Sequence, residues 1–410
     1  MCGRHHRKRS LMLNPPNPLR PELAPVSSSG VLLRLLPLVW IVFFSGLAIA
    51  VPLPVLALHV HEGLGFSIAT AGLAVGIQSL ATLLTRQMAG SAVDRYGAKK
   101  TVVVGLPLAV LAGLFYLGSL EAAVPVVSLG ILTAGRLCLG LAESLFLTGA
   151  MAWGIGRVGL ANTGRVMAWQ GIALYAAIGL GAPVGIAINA TYGFAGVAAV
   201  AATAPLVAIP MVFLIAGVPT MPGRRLGFHR VLGLIWRHGV ALALATAPFA
   251  VLATFLALVF ASRGWPNAGA GLFLFGASYI GVRLFLAHLP DRIGGVGVAA
   301  VSLLVEAVAQ FMLWLATEPT LALAGAALSG VGFSLIFPAL GVEAVRRVPA
   351  ESRGLAVGGF LAFFDIALGV TGPVAGVLVA AFGYGSMFLA GAIGCLLSFG
   401  LVLTMPRDRA

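Results

Sequence analysis

From residue 31 to 405 the chain alternates long apolar runs with short polar connections. A helix that crosses the hydrocarbon of a bilayer needs about 20 apolar residues. Runs of that length fall at about 33–57, 67–89, 101–120, 124–148, 164–189 and 193–216. A longer polar link at 217–237 carries Arg224, Arg225, Arg230 and Arg237. Six more runs follow at about 239–261, 268–289, 295–316, 319–342, 354–379 and 383–404. The pattern predicts an all-α membrane protein of twelve transmembrane helices. They form two six-helix bundles, 31–216 and 238–405, with 217–237 as the linker. Residues 1–30 are basic and then proline-rich, which predicts a disordered cytoplasmic tail. They do not read as a cleaved signal peptide. The following run is long enough to span, and no small-residue cleavage site closes a shorter one.

Composition agrees with a lipid solvent. Of 410 residues 60% are hydrophobic and only 9% charged, and the mean hydropathy is +1.05. A water-soluble domain needs more polar surface than that. The net charge of +13 does not point to nucleic acid, because the cations are spread over short connections. Their distribution sets orientation instead. The loops on one side hold a single cation, Arg263, and Arg136 lies inside a span, while the other Lys and Arg fall on the opposite side. By the positive-inside rule both termini are cytoplasmic, in a multi-pass protein of the cell inner membrane. Cys2, Cys138 and Cys395 show neither disulfide nor metal-ligand spacing. We read no cofactor or metal site, and no nucleophile motif that would make an enzyme.

One polar turn recurs. Gly90-Ser-Ala-Val-Asp94-Arg95-Tyr-Gly97-Ala-Lys99-Lys100 closes the second span, and Asp291-Arg292-Ile-Gly294 closes the eighth. Arg86 precedes Asp94 by the same eight residues that separate Arg283 from Asp291. Arg-x7-Asp-Arg-x-Gly used twice makes the two bundles pseudo-symmetric copies. The second copy is incomplete, with Val296 and Gly297 where Lys99 and Lys100 would stand.

Two further segments sit inside spans. Gly135-Arg136-Leu137-x-x-Gly140 lies in span four, with Glu143 two turns on and on the same face, roughly 10 Å along the axis. A mid-bilayer cation usually faces a cavity or a partner. Gly179-Leu-Gly181-Ala-Pro183-Val-Gly185 in span five is echoed in span eleven by Gly369-Val-Thr-Gly372-Pro373-Val-Ala-Gly376. Small residues permit close helix packing and proline bends a helix. We expect a tight, bent interface there, where the two halves meet.

These features resemble the major facilitator superfamily. Gly90, Asp94, Arg95, Gly97, Lys99 and Lys100 match its loop motif after span two. Arg136 matches its span-four arginine, and span five is similar to the Gly-Pro motif of its antiporter branch. Gln78–Arg86, Gly332–Gly341 and Leu368–Pro373 look like the YhhS-like bacterial subgroup. The resemblance implies two halves rocking about a mid-membrane site, lined by spans one, four, seven and ten. The loop would clamp the cytoplasmic side, with Asp94 facing the start of span eleven near Arg353 and Gly354.

Intramembrane acids are few. Asp365 lies about eleven residues into span eleven, roughly 16 Å deep and near the midplane. It is the first candidate for carrying a proton, and Glu143 the second. Asp365 aligns with Tyr175 at the offset that relates Pro373 to Pro183. Gln170, Gln78, Tyr175 and the aromatics Phe43, Phe44, Phe255, Phe333 and Phe337 would give a mostly apolar pocket. Glu306 and Gln310 form an i, i+4 pair suited to bonding between helices. His59 and His61 read as a wet pair at a loop end. The expectation is a secondary transporter that works as a monomer and exports a small organic solute against protons, with proton-coupled uptake as the alternative. A non-transporting sensor is the distant one. Asp94→Ala should impair it more than Asp291→Ala.

Overall fold

A computed structural model describes residues 28–406 apart from 222, 224 and 267. The expected tail and Arg224 therefore lie outside the described residues, apart from the tail's last three positions. Every regular element among the described residues is helical.

Span one is α1 (Ser28–Ala50), α2 (Leu53–Leu58) and a π-helical turn at His59–Gly63. The break falls at Val51-Pro52, where proline removes a backbone donor. Spans two to four are α3 (Ile68–Tyr96), α4 (Ala98–Leu120) and α5 (Pro125–Val158). Ser67 starts α3 by accepting the Thr70 N–H at 3.1 Å, a capping bond that satisfies an orphan donor. Spans five and six run together as α6 (Thr163–Phe213), broken in direction at Gly193, φ 62°. The second half begins with α7 (Phe228–Ser262) and α8 (Ala268–Leu286), then the short α9 (Leu289–Ile293). It ends with α10 (Gly295–Leu315), α11 (Pro319–Arg346), α12 (Arg353–Phe382) and α13 (Gly385–Leu403). Twelve spans result.

The repeat is visible in the backbone. Gly97 and Gly294 end the two copies of the loop at φ 96° and 90°. A side chain at positive φ would be strained, which explains glycine in both copies. Span seven begins earlier than the expected 239. Val231 and Ile235 are buried while Arg230 and Arg237 are exposed. That is the face pattern of a helix entering the bundle with its charges outward.

Within the halves α1 packs on α6, α4 on α5 and α10 on α11. Between them the main contact is α3 against α12, and α11 against α6 is the next. Both lie toward the face that carries the Gly90–Lys100 turn, here called the basic face. A Cβ on Gly90 would lie 2.8 Å from the Gly354 carbonyl oxygen, and one on Gly164 would lie 3.2 Å from Val342. Toward the opposite face the same helices part. Gly72 and Gly76 of α3, Gly179 of α6 and Gly369, Gly372 and Gly376 of α12 have nothing within 4 Å of a built Cβ.

This corrects the reading of the Gly-Pro segments. Gly181 and Gly185 pack against Ala50 and Val51 of span one, inside the first half. Gly372 and Gly376 touch nothing. Both segments pack within their own bundles: Thr371 and Ala375, the positions that match Gly181 and Gly185, are buried where α12 meets α7, while Gly372 and Gly376 face the gap because the halves are separated on that face.

Candidate transport site

Where α1, α3, α5, α6, α7, α8, α11 and α12 converge, a cavity of ≈ 200 Å³ lies between the halves. Spans one, four, seven and ten contribute to it as expected, span one through Ile49. Most of its polar groups instead come from spans two, five, eight and eleven, as Arg86, Gln170, Tyr175, Tyr279, Arg283 and Asp365.

Arg86 and Asp365 are the centre of its first arm. Arg86 Nε donates to Asp365 Oδ2 at 2.7 Å and Nη2 to Oδ1 at 3.3 Å. The two N–H bonds from one planar fork make the strong form of ion pair. Arg86 is 1% exposed and Asp365 10%, and the pair joins one half of the protein to the other. Glu143 lines the same arm. It accepts from Gln78 Nε2 at 2.9 Å and Thr82 Oγ1 at 3.2 Å, but no cation bridges it. The sequence places Arg86 only in the loop motif. Its place inside an apolar run, where a cation is costly, was the signal for a cavity role.

The second arm is the copy of the first without the acid. Arg283 stands where Arg86 stands, and Tyr175 stands where Asp365 stands. Arg283 Nε donates to the Ser334 carbonyl at 3.0 Å and Nη1 to the Ala168 carbonyl at 3.1 Å. Its guanidinium lies 4.2 Å from the centre of the Tyr279 ring. Tyr175 packs edge-on to Tyr279 at 5.0 Å and to Phe249 at 5.8 Å. Phe249 stacks on Phe333 at 5.1 Å and on Phe275 at 5.3 Å, so the wall of this arm is aromatic. Phe337 lines the cavity and packs on Phe360 at 5.3 Å. Gln170 lines it too, 1% exposed, with neither amide atom bonded within the described residues.

Below the cavity, two carboxylates close the basic face. Asp94 accepts from the Gly354 and Leu355 N–H groups at 2.7 and 3.0 Å. Asp291 accepts from Gly164 and Arg165 at 2.8 and 3.0 Å. Each carboxylate therefore caps the first turn of a helix in the opposite half, where the helix dipole favours negative charge. Arg225 donates to the Asp94 carbonyl at 3.0 Å, and Lys99 to the Ile215 carbonyl at 2.8 Å. Gly97 is buried while Arg95, Lys100 and Arg292 are exposed. Both gate carboxylates lie beyond the apolar spans. Burial pushes Asp94 up to about 6 against the pull of the Leu355 and Gly354 N–H groups and Arg225. Burial pushes Asp291 up to about 6 against Gly164, Arg165 and Arg346.

The family model described as Major Facilitator Superfamily matches residues 38–303 and 240–410. The chain belongs to the major facilitator superfamily. An uncharacterised MFS-type transporter of Burkholderia mallei (strain SAVP1) is 44% identical over 388 residues, covering 94% of this chain and 95% of that one. Among solved structures, the MFS proton:xylose symporter XylE superposes with a TM-score of 0.78 at 14% identity, over 93% of this chain and 97% of that one. A bacterial homologue of the iron transporter ferroportin in its outward-facing state gives a TM-score of 0.77 at 16% identity, over 91% and 98%. This MFS transporter is thus a multi-pass membrane protein, not an enzyme.

Several expected cavity residues of this transporter lie elsewhere. Arg136 is not in the lining. It is buried, donates Nη2 to the Val75 carbonyl at 2.7 Å and has no carboxylate within bridging distance. Glu143, on the same helix two turns away, turns to Gln78 and Thr82 instead. Phe43 and Phe44 cluster with Trp40, at 5.6 and 5.8 Å, and Phe255 is also outside the lining. Glu306 and Gln310 bond to each other at 2.9 Å and Ser329 donates to Glu306 at 2.7 Å, joining α10 to α11. His59 stacks on Phe194 at 4.0 Å and His61 Nδ1 meets the Phe66 carbonyl oxygen at 2.6 Å.

Proposed function

We propose that this MFS transporter works by proton-coupled alternating access and exports a small organic solute. The observation that carries the reading is the bidentate Arg86–Asp365 pair, which spans the two halves at the floor of the cavity. A carboxylate shared between halves ties its protonation to their separation. Protonating Asp365 removes the charge that holds Arg86 and loosens the contact. Glu143 is the nearby acceptor for the same proton, held ready by Gln78 and Thr82. The likeness of span five to the antiporter branch supports export.

The concentration of basic residues supports a cytoplasmic basic face and cytoplasmic termini, in the inner membrane of a bacterium. On that reading this is an outward-open conformation, with the gate of Asp94 and Asp291 closed. The site is complete within one chain, so we propose that the monomer is the working unit, with protons and the solute as its partners.

The test begins with a panel of drugs and metabolites on cells with the gene deleted and restored. Wild type should raise tolerance to the transported compound, and Asp365→Asn should not. In everted vesicles an imposed pH gradient should then drive uptake of that compound. Flux indifferent to the gradient and to Asp365→Asn would overturn the coupling, and accumulation in the opposite sense would make it a symporter.

A further inference from the structure

Arg283 is a buried cation without a counter-ion. It is 1% exposed, and the Arg86–Asp365 pair is the only salt bridge among the described residues. The ionisable groups facing Arg283 are Tyr279 and Tyr175, and both are phenols. Two backbone carbonyls and one aromatic ring share its N–H groups and its face, but none carries a negative charge. Nη2 makes no hydrogen bond to a described residue, although Nε and Nη1 each do. Room for the guanidinium is built in. Gly171 leaves the space that Nη1 fills, and any Cβ there would collide with it.

An unpaired charge taken out of water is expensive, by several kcal/mol even after relaxation. A protein relieves that cost with a partner, and the pseudo-symmetric copy shows what the partner looks like. Arg86 has a carboxylate from span eleven. At the matching position of span five this chain has Tyr175, which opens the place of that carboxylate to the cavity. Gln170 gives a second, independent sign. Its buried amide lines the same cavity with donor and acceptor both unused. Buried polar groups are rarely left so unless something else meets them.

Resting on the reading of this cavity as the substrate site, we infer that Arg283 receives the carboxylate of an organic acid. The planar fork suits a carboxylate better than an ammonium would. The body of the solute lies on the aromatic wall of Phe249, Tyr279 and Phe333. Gln170 offers a hydrogen bond to a polar group on that body. The substrate class is thus a weak organic acid with an apolar or aromatic body, taken as its anion.

The experiment uses the full chain purified into lipid nanodiscs at constant ionic strength, reading ligand-induced thermal stabilisation. The probes are matched sets on one skeleton: benzoate, benzamide and benzylamine, then hexanoate, hexanamide and hexylamine. In each set the acid should bind best, with the amide at least tenfold weaker. Arg283→Gln should weaken the acids by tenfold or more, and Arg283→Lys should recover part of the loss. Tyr175→Asp, which supplies the missing internal carboxylate, should abolish acid binding while keeping the unfolding temperature at or above that of wild type. Should Arg283→Gln fail to fold, the Lys and Tyr175 variants carry the test. Equal or tighter binding of an amide or amine, no binding of any acid, or unchanged acid binding in the Arg283 variants would overturn the proposal. No gradient is involved, so failure here is separable from failure of proton coupling.

Discussion

Arg86 and Arg283 occupy equivalent places in two copies of one bundle, yet only Arg86 has an internal counter-ion. Arg86 is tied to Asp365 across the halves, and Arg283 faces Tyr175 and Tyr279. Duplication delivered two cavity cations, and one substitution at the offset position separates their uses. The arm with the acid joins the halves, and on the proposed coupling it is the arm that exchanges a proton. The arm without it keeps an unspent positive charge beside an aromatic wall.

The largest effect that breaks the comparison is removal of the acid. Asp365→Asn leaves Arg86 buried and unpaired, which costs about 3–5 kcal/mol in comparable cases. Thermal unfolding should show a clear loss of stability. Adding Arg86→Gln should restore most of it without restoring transport, since no titratable pair remains. A double variant no more stable than Asp365→Asn would show that the pair does not bear that load.

The second comparison is between the gates. Each carboxylate takes two backbone N–H groups, and a hydrogen bond to a charged group is worth roughly 1.5–3 kcal/mol. Asp94→Ala and Asp291→Ala should both favour opening of the basic face, by about tenfold or more in the equilibrium. The effect should be larger at Asp94, which sits in the complete copy of the loop and in the main contact between the halves, where Gly90 meets Gly354 closely. Spin-label distances between α3 and α12 and between α6 and α8 would measure it. The reverse order would overturn the asymmetry.

The smallest effect is on pH. Each gate carboxylate is raised from 3.8 to about 6 in the closed gate. Closure therefore takes up protons relative to a solvated, open gate. Its contribution to closure is full below pH 3.8 and fades as pH rises through about 6. The closed population should fall between about pH 4 and 6, less steeply in Asp94→Asn and Asp291→Asn. A pH-independent equilibrium in the wild type would remove this role.

The twelve spans and the repeat were legible because lipid demands long apolar runs and the loop motif is local. The Asp94 contact with Gly354 was legible from the family resemblance. The Arg86–Asp365 pair was not, because the two residues belong to different halves and meet only through packing. Both were visible singly as charges inside apolar runs. Arg136 fits the same description but binds a backbone carbonyl away from the cavity. A buried charge thus announces that it must be satisfied, and the fold decides by what. Arg86 and Arg283 belong by sequence to the loop motif, which masks the second arm, although Asp365 aligns with Tyr175.

The open glycines of α12 have a meaning beyond this conformation. Gly369, Gly372 and Gly376 form a smooth strip that nothing touches here. Packing in this state exerts no pressure to keep them small. On the alternating-access proposal their smallness is a reservation held for the other half of the cycle, when this face would shut and Gly90 and Gly354 would part. The chain would then encode two surfaces for one pair of bundles, used in turn, with the idle one the template of the shape to come.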